Sequence, residues 1–288
     1  MEQKTKQLDK ALDNFIGVTA KTTIGVVVPL YGFWNDVPDN PVNAEVLRVT
    51  LERLYSNIHN LFVVFVAHPL TLPRRQAPDD PPAVTDILMG WYKRGNVKNI
   101  PVERTASYSE YVAEGIDYLL TETKASFVLV FNPWVMIQDG ALDTLVDRAN
   151  RGDDANVVSG YDLRSIIGPE AFDTYKIKDV PKEEWDLSCN LLAMPRFMAE
   201  MVSVDPHYKT HAFMERDLWQ QVVVRQYAVV TSQLVPVFSF DFPWSDYERQ
   251  EEFEADRAYF TGKWRFDPGI FYDDTRGIDR KDREGANR

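Results

Sequence analysis

Apolar positions along this chain follow two alternating rhythms. The run Ile24-Gly25-Val26-Val27-Val28-Pro29-Leu30-Tyr31 has no charged position on either face, the pattern of a strand covered on both sides. Over 42–60, Val46, Val49, Leu51, Leu54, Tyr55 and Ile58 recur at helical spacing, and 61–67 is again a continuous apolar strand. Together they predict a β-α-β unit with a right-handed crossover. The alternation continues with a helix over 83–94, a strand over 97–103 and a helix over 107–121 anchored by Tyr111, Ile116, Leu119 and Leu120. A strand over 125–131 then stops at Asn132-Pro133-Trp134.

The second half repeats the theme less regularly. A helix is predicted over 140–151, strands over 156–159 and 185–194, helices over 195–202 and 212–226, and strand over 227–240. The stretch 68–82 is proline-rich and aperiodic, hence a loop. The result is an α/β chain with a doubly wound, mostly parallel sheet flanked by helices. Its divisions are a helical segment over 1–22 (Leu8, Leu12, Phe15 and Ile16 at helical spacing), an α/β domain over 23–265 and a charged tail over 266–288. Glu248, Glu251, Glu252, Glu254 and Asp256 read as the solvated face of a late helix.

Composition narrows the partners. The 288 residues are 44% hydrophobic and 26% charged, enough for a core without staples, and the net charge is -12. That balance excludes a nucleic-acid footprint and leaves solubility or protein association, including a homo-oligomer, as its use. Cys189 is the only cysteine and sits beside an apolar run, so it reads as a buried thiol in a reducing compartment. With no apolar signal core and no run long enough to span a bilayer, the expected location is the cytoplasm.

Four segments, in order, resemble the family 2 glycosyltransferases, particularly the rhamnosyltransferase-like branch. Val26-Val27-Val28-Pro29-Leu30-Tyr31 is similar to the family's opening strand with its Pro-x-Tyr end. Tyr111 to Ile116, Phe127 to Pro133 and Gly140-Ala141-Leu142 resemble its Asn-x-Gly-Ile helix, Asn-Pro-Asp-Val metal motif and following helix. Cys189 to Pro206 with Met214-Glu215-Arg216-Asp217-Leu218 resembles the acceptor-side segment and Glu-Asp-x-Asp-Leu; Phe260, Lys263 and Trp264 match a closing Phe-x-x-Lys-Trp. The resemblance implies a GT-A type, Rossmann-like fold, a nucleotide-sugar donor and a carbohydrate or protein acceptor. It also implies Glu215 as catalytic base with Asp217 beside it as a surface or capping residue, and Pro29, Tyr31, Asn132 and Trp134 at the donor.

The departures cluster on donor binding. Trp134 stands where the motif's metal-binding Asp belongs, and an indole cannot ligate Mg²⁺ or Mn²⁺. The second strand ends Ala67-His68-Pro69 instead of in acids, and Met214 replaces the first acid of the third motif. No metal ligand is therefore assigned, although the family implies a divalent cation. Arg164, Lys209, Arg216 and Lys263 are the candidate cations for a departing diphosphate. His207 and His211 have the i, i+4 spacing of a helical metal pair, and alternatively belong to a loop and helix start. Two functions remain open: a transferase that avoids the usual Asp–metal route, or the same fold kept as an inactive binding or assembly module.

Overall fold

Among the described residues, eight strands of three to eleven residues share one sheet in the order β3-β2-β1-β4-β7-β6-β8-β5. The computed structural model describes residues 22–31, 41–68, 83–103, 105–150, 157–163, 169–174, 190–227, 229–240 and 250–265. The helix expected around Leu8, Leu12, Phe15 and Ile16, the proline-rich loop after His68, Arg164, Cys189 and the charged tail lie outside these residues. The strands are β1 (Thr23–Pro29), β2 (Asn60–Ala67), β3 (Val97–Pro101), β4 (Phe127–Phe131), β5 (Val135–Ile137), β6 (Val157–Asp162), β7 (Leu191–Pro195) and β8 (Val229–Ser239). The helices are α1 (Pro41–Glu52), α2 (Val84–Tyr92), α3 (Tyr108–Glu122), α4 (Ala141–Asn150), α5 (Arg196–Met201), α6 (His211–Val223) and α7 (Gln250–Trp264).

The sheet is mixed. β3, β2, β1 and β4 run parallel, as does β6 with β8, while β7 is antiparallel to both β4 and β6, and β5 to β8. Strand direction was hidden from the pattern because strands buried on both faces look alike whichever way they run. The helix expected over 42–60 ends at Glu52, and β5, only three residues long, went unforeseen.

Two apolar layers sandwich the sheet. Ile24, Val26 and Val28 of β1 point with Leu47, Leu51, Leu88, Leu142 and Leu145 into one layer. Val27 points with Tyr111, Val112, Met198, Phe213 and Phe260 into the other. Each fully buried side chain of this size stabilises by roughly 1.5–3 kcal/mol.

Local signals set helix α3 against this sheet. Its Ser-x-x-Glu start forms a capping box: Ser107 Oγ accepts from the Glu110 N–H at 3.3 Å, and Glu110 Oε2 accepts from the Ser107 N–H at 2.6 Å. Gly115 lets the helix approach β1, because a Cβ there would lie 2.3 Å from Val27 Cγ1. The chain reverses its winding between β1 and β4, so their carboxyl ends border the crevice where open α/β sheets bind ligands.

Candidate active site

The turn after β4 is held from every side. Asn132 Oδ1 accepts from the Trp134 N–H at 3.0 Å, an Asx-turn that Pro133 suits by restricting the backbone. Asn132 Nδ2 donates to Asn190 Oδ1 at 3.0 Å, and Asn190 Nδ2 donates to Ser239 Oγ at 3.0 Å, a buried ladder across three strand ends. The Asn132 N–H donates to Asn190 O, and the Phe240 N–H donates to Trp134 O. Thr50 Oγ1 of α1 donates to Pro133 O at 2.9 Å.

Trp134 completes this turn by lying inward. It is 4% exposed, joins the apolar layer of α1 and α4, and its Nε1 donates to Tyr31 O at 3.5 Å. The indole thus bridges the carboxyl ends of β1 and β4 at the switch point. A divalent cation wants several hard oxygens. The side chains offered here are an indole and an amide already bonded to the backbone and to Asn190, so this turn does not fit one. Among the described residues no group of three or more His, Cys, Asp or Glu side chains could hold a metal.

Pro29 and Tyr31 are buried too. Pro29 pairs with Val66 in the ladder, and the Tyr31 ring meets Tyr108 and Tyr111 edge-on at centroid distances of 5.9 and 5.4 Å. Tyr108 opens α3 and touches the His211 ring at 5.9 Å, at the start of α6. Trp134, Tyr31, Tyr108 and His211 therefore form a connected line along the carboxyl edge of the sheet. Glu215 lies four residues past His211, on the same side of α6. It is 3% exposed.

Asp217 is placed differently from the expectation of a surface or capping residue. It is 1% exposed and accepts four donors: Trp264 Nε1 at 2.7 Å, Gln221 Nε2 at 2.7 Å, Tyr208 Oη at 3.2 Å and Lys263 Nζ at 2.8 Å. An exposed acid on a helix was the default, yet a carboxylate with four donors is stable in the interior. Burial, with Asp217 beside it, holds the Tyr208 phenol protonated well above its ordinary range.

Lys263 also bonds Asp205 Oδ2 at 2.8 Å, and Tyr259 Oη donates to the same oxygen at 3.0 Å. Burial pulls the Lys263 ammonium down, but its bonds to Asp205 and Asp217 outweigh that and raise it. Lys263 is therefore committed to two carboxylates, and Lys209 pairs with Glu110 at 3.7 Å. Of the other candidate cations, the Arg216 guanidinium lies 5.6 Å from the Phe213 ring centre.

His207 and His211 do not share a helix face. His207 sits in the loop before α6, stacked on Tyr259 at 3.8 Å, whereas His211 opens the helix against Tyr108. Asp256, read as part of a solvated acidic face, is 2% exposed. It accepts from the Lys209 N–H, the Thr210 N–H and Thr210 Oγ1, and so caps the start of α6. Tyr208, Gln221, Asn190 and Ser239 carried no signal in the sequence. Lys263 and Trp264 did, as the closing motif, but not for this role.

The fold, a mixed α/β sheet flanked by helices, is that of the GT-A type glycosyltransferases. The mannosyltransferase PcManGT from Pyrobaculum calidifontis, solved with GDP-Man and Mn²⁺, matches 85% of this chain and 65% of its own at 13% identity and TM-score 0.54. TarS of S. aureus matches 84% of this chain and 39% of its own at 12% identity and TM-score 0.51. Glucosyl-3-phosphoglycerate synthase from Mycobacterium tuberculosis, with Mg²⁺ and UDP, matches 85% and 82% at 12% identity and TM-score 0.50. The chain thus spans about two thirds of the mannosyltransferase and under half of TarS. No family model and no curated protein matches its sequence. No described helix is long and apolar enough to cross a membrane.

Proposed function

We propose that this protein transfers a sugar from a nucleotide-activated donor to a carbohydrate or protein acceptor, with Glu215 as the base and without a metal ion at the β4 turn. The observation that carries the reading is the placement of Glu215. It stands on α6 one turn past His211, in line with Tyr108 and Tyr31 at the carboxyl edge of a GT-A sheet. Inverting transfer needs a carboxylate that takes the proton of the attacking hydroxyl, and Glu215 is that group in the motif resembling Glu-Asp-x-Asp-Leu. Its likeness to the rhamnosyltransferase-like branch supports the same role. Asp217, with four donors on its two oxygens, is bonded within the protein, which supports Glu215 over Asp217 as the base.

The departing diphosphate needs positive charge or backbone amides in place of a metal. Arg216, next to Glu215, is the candidate on α6. Calorimetric titration with UDP-, GDP- and dTDP-sugars, with and without Mn²⁺, tests the reading. Binding to one donor with little Mn²⁺ dependence, and transfer abolished in Glu215→Gln, is the expected result. Failure to bind any donor sinks it.

A second reading is favoured by Trp134. Its indole bridges the two strand ends that border the ligand crevice, and Asn132 is bonded within the protein. On that reading the fold serves as a binding or assembly module, and Glu215→Gln leaves its biological role intact.

A further inference from the structure

We propose that Asp217 and Lys263 are positioning residues, through which α7 sets the rotation of α6 and so the direction of Glu215; this rests on the transferase reading above. Glu215 and Asp217 are two positions apart, which on an α-helix separates their directions by roughly 200°. Locking Asp217 on one side of α6 therefore fixes where the other side points.

The lock is built from three directions. The loop before the helix supplies Tyr208 Oη, the next turn of α6 supplies Gln221 Nε2, and α7 supplies Trp264 Nε1 and Lys263 Nζ. Gln221 also ties back to the loop, accepting from the Ser203 N–H at 3.0 Å and donating to Ser203 O at 2.8 Å. Lys263 joins Asp217 to Asp205, so one ammonium spans the helix and the loop that leads into it.

Adhesion of the two helices does not require these charges. Phe213 of α6 already packs on Phe253 and Phe260 of α7, with ring centres 5.0 and 5.9 Å apart. Apolar contacts tolerate small rotations and slides, whereas hydrogen bonds between charged groups do not. An ion cluster whose acid is buried and whose ammonium is 30% exposed is a poor source of stability compared with apolar packing, and the better-attested use of such polar groups is to specify one arrangement. Here the arrangement specified is the rotation of the helix that bears the proposed base.

The experiment compares the full chain with Lys263→Met, Lys263→Arg and Trp264→Phe. Glu251→Gln, on the exposed part of α7, is the control. Steady-state release of nucleoside diphosphate is measured with the UDP-, GDP- and dTDP-sugars of the titration, alongside hydrogen exchange over 211–223. The expected result for Lys263→Met is a loss of about 10-fold or more in kcat, with KM for the donor changed less than about 2-fold. Exchange over 211–223 rises, Lys263→Arg recovers most of the rate, and the control matches the parent.

If Lys263→Met does not fold, Trp264→Phe, which removes one hydrogen bond, is read in the same assay with an expected loss of about 3-fold in kcat. Unchanged kcat in an active, folded variant overturns the inference and leaves the transferase reading standing. So does a loss carried by KM, or one that Lys263→Arg fails to recover. A parent protein that turns over no donor overturns both, a pattern the other outcomes do not share.

Discussion

The indole N–H of Trp134 donates to the main-chain oxygen of Tyr31 at 3.5 Å, joining the ends of β4 and β1 across the point where the sheet changes winding. A tryptophan at the switch point is thus built into the core layer of α1 and α4. This limits what the crevice can hold, because the position presents apolar surface and a single, already bonded donor.

Replacing Trp134 separates packing from the hydrogen bond. Trp134→Phe keeps most of the apolar volume and is expected to cost about 1 kcal/mol for the lost bond, besides any void left by the smaller ring. Trp134→Asp removes the ring and buries a carboxylate in the apolar layer of α1 and α4, and is expected to cost at least about 3 kcal/mol. Urea unfolding monitored by circular dichroism measures both. Equal losses would mean that the side chain is not buried as described.

Asp217→Ala leaves Lys263, Trp264, Gln221 and Tyr208 facing a missing acceptor. The expected destabilisation is about 1–3 kcal/mol, the range for leaving buried donors unsatisfied; the Lys263 ammonium, whose side chain is 30% exposed, can still reach water. In Asp217→Ala/Lys263→Met the two losses fall short of additive, because each single change already removes the Asp217–Lys263 bond. Denaturant midpoints of the four proteins close this cycle.

Stability should have one acid arm and one alkaline arm that trace to named groups. Burial pushes the Asp205 carboxyl up, but bonds from Lys263, the His207 N–H and Tyr259 outweigh it and hold it below the ordinary 3.8. Its contribution is therefore present above about pH 4 and is lost as pH falls through the lowered value. Lys263 is held above the ordinary 10.5. Its contribution is present below that value and is lost as pH rises through the raised one. Thermal midpoints should flatten on the acid side in Asp205→Asn and on the alkaline side in Lys263→Met.

Gly115→Ala tests the approach of α3 to the sheet. The new Cβ meets Val27 Cγ1 at 2.3 Å and Val66 Cγ2 at 3.1 Å, so strand or helix must shift. A loss of about 1–3 kcal/mol is expected. Pairing it with Val27→Ala makes room, so the double variant should lose less than the two single losses combined.

Much of the fold was legible because its signals are local. The unbroken apolar runs of β1, β2 and β4 and the Ser107-x-x-Glu110 start of α3 each lie within one stretch of chain, where residue order alone carries the signal. Resemblance added Glu215 and drew attention to Trp134. The remainder depended on pairs that spacing cannot express. Asp217 and Trp264 are 47 residues apart, and Asn132 and Asn190 are 58 apart. Read alone, an acid on a helix, an amide before a proline and a tryptophan after a strand keep their ordinary defaults of solvent, turn and ligand face. Whether each becomes a buried acceptor, a ladder or a bridge is set by what the folded chain brings beside it. For that reason the strand-and-helix order could be read in advance, while the direction of β7, the inward turn of Trp134 and the lock on Asp217 emerged only once the elements were packed together.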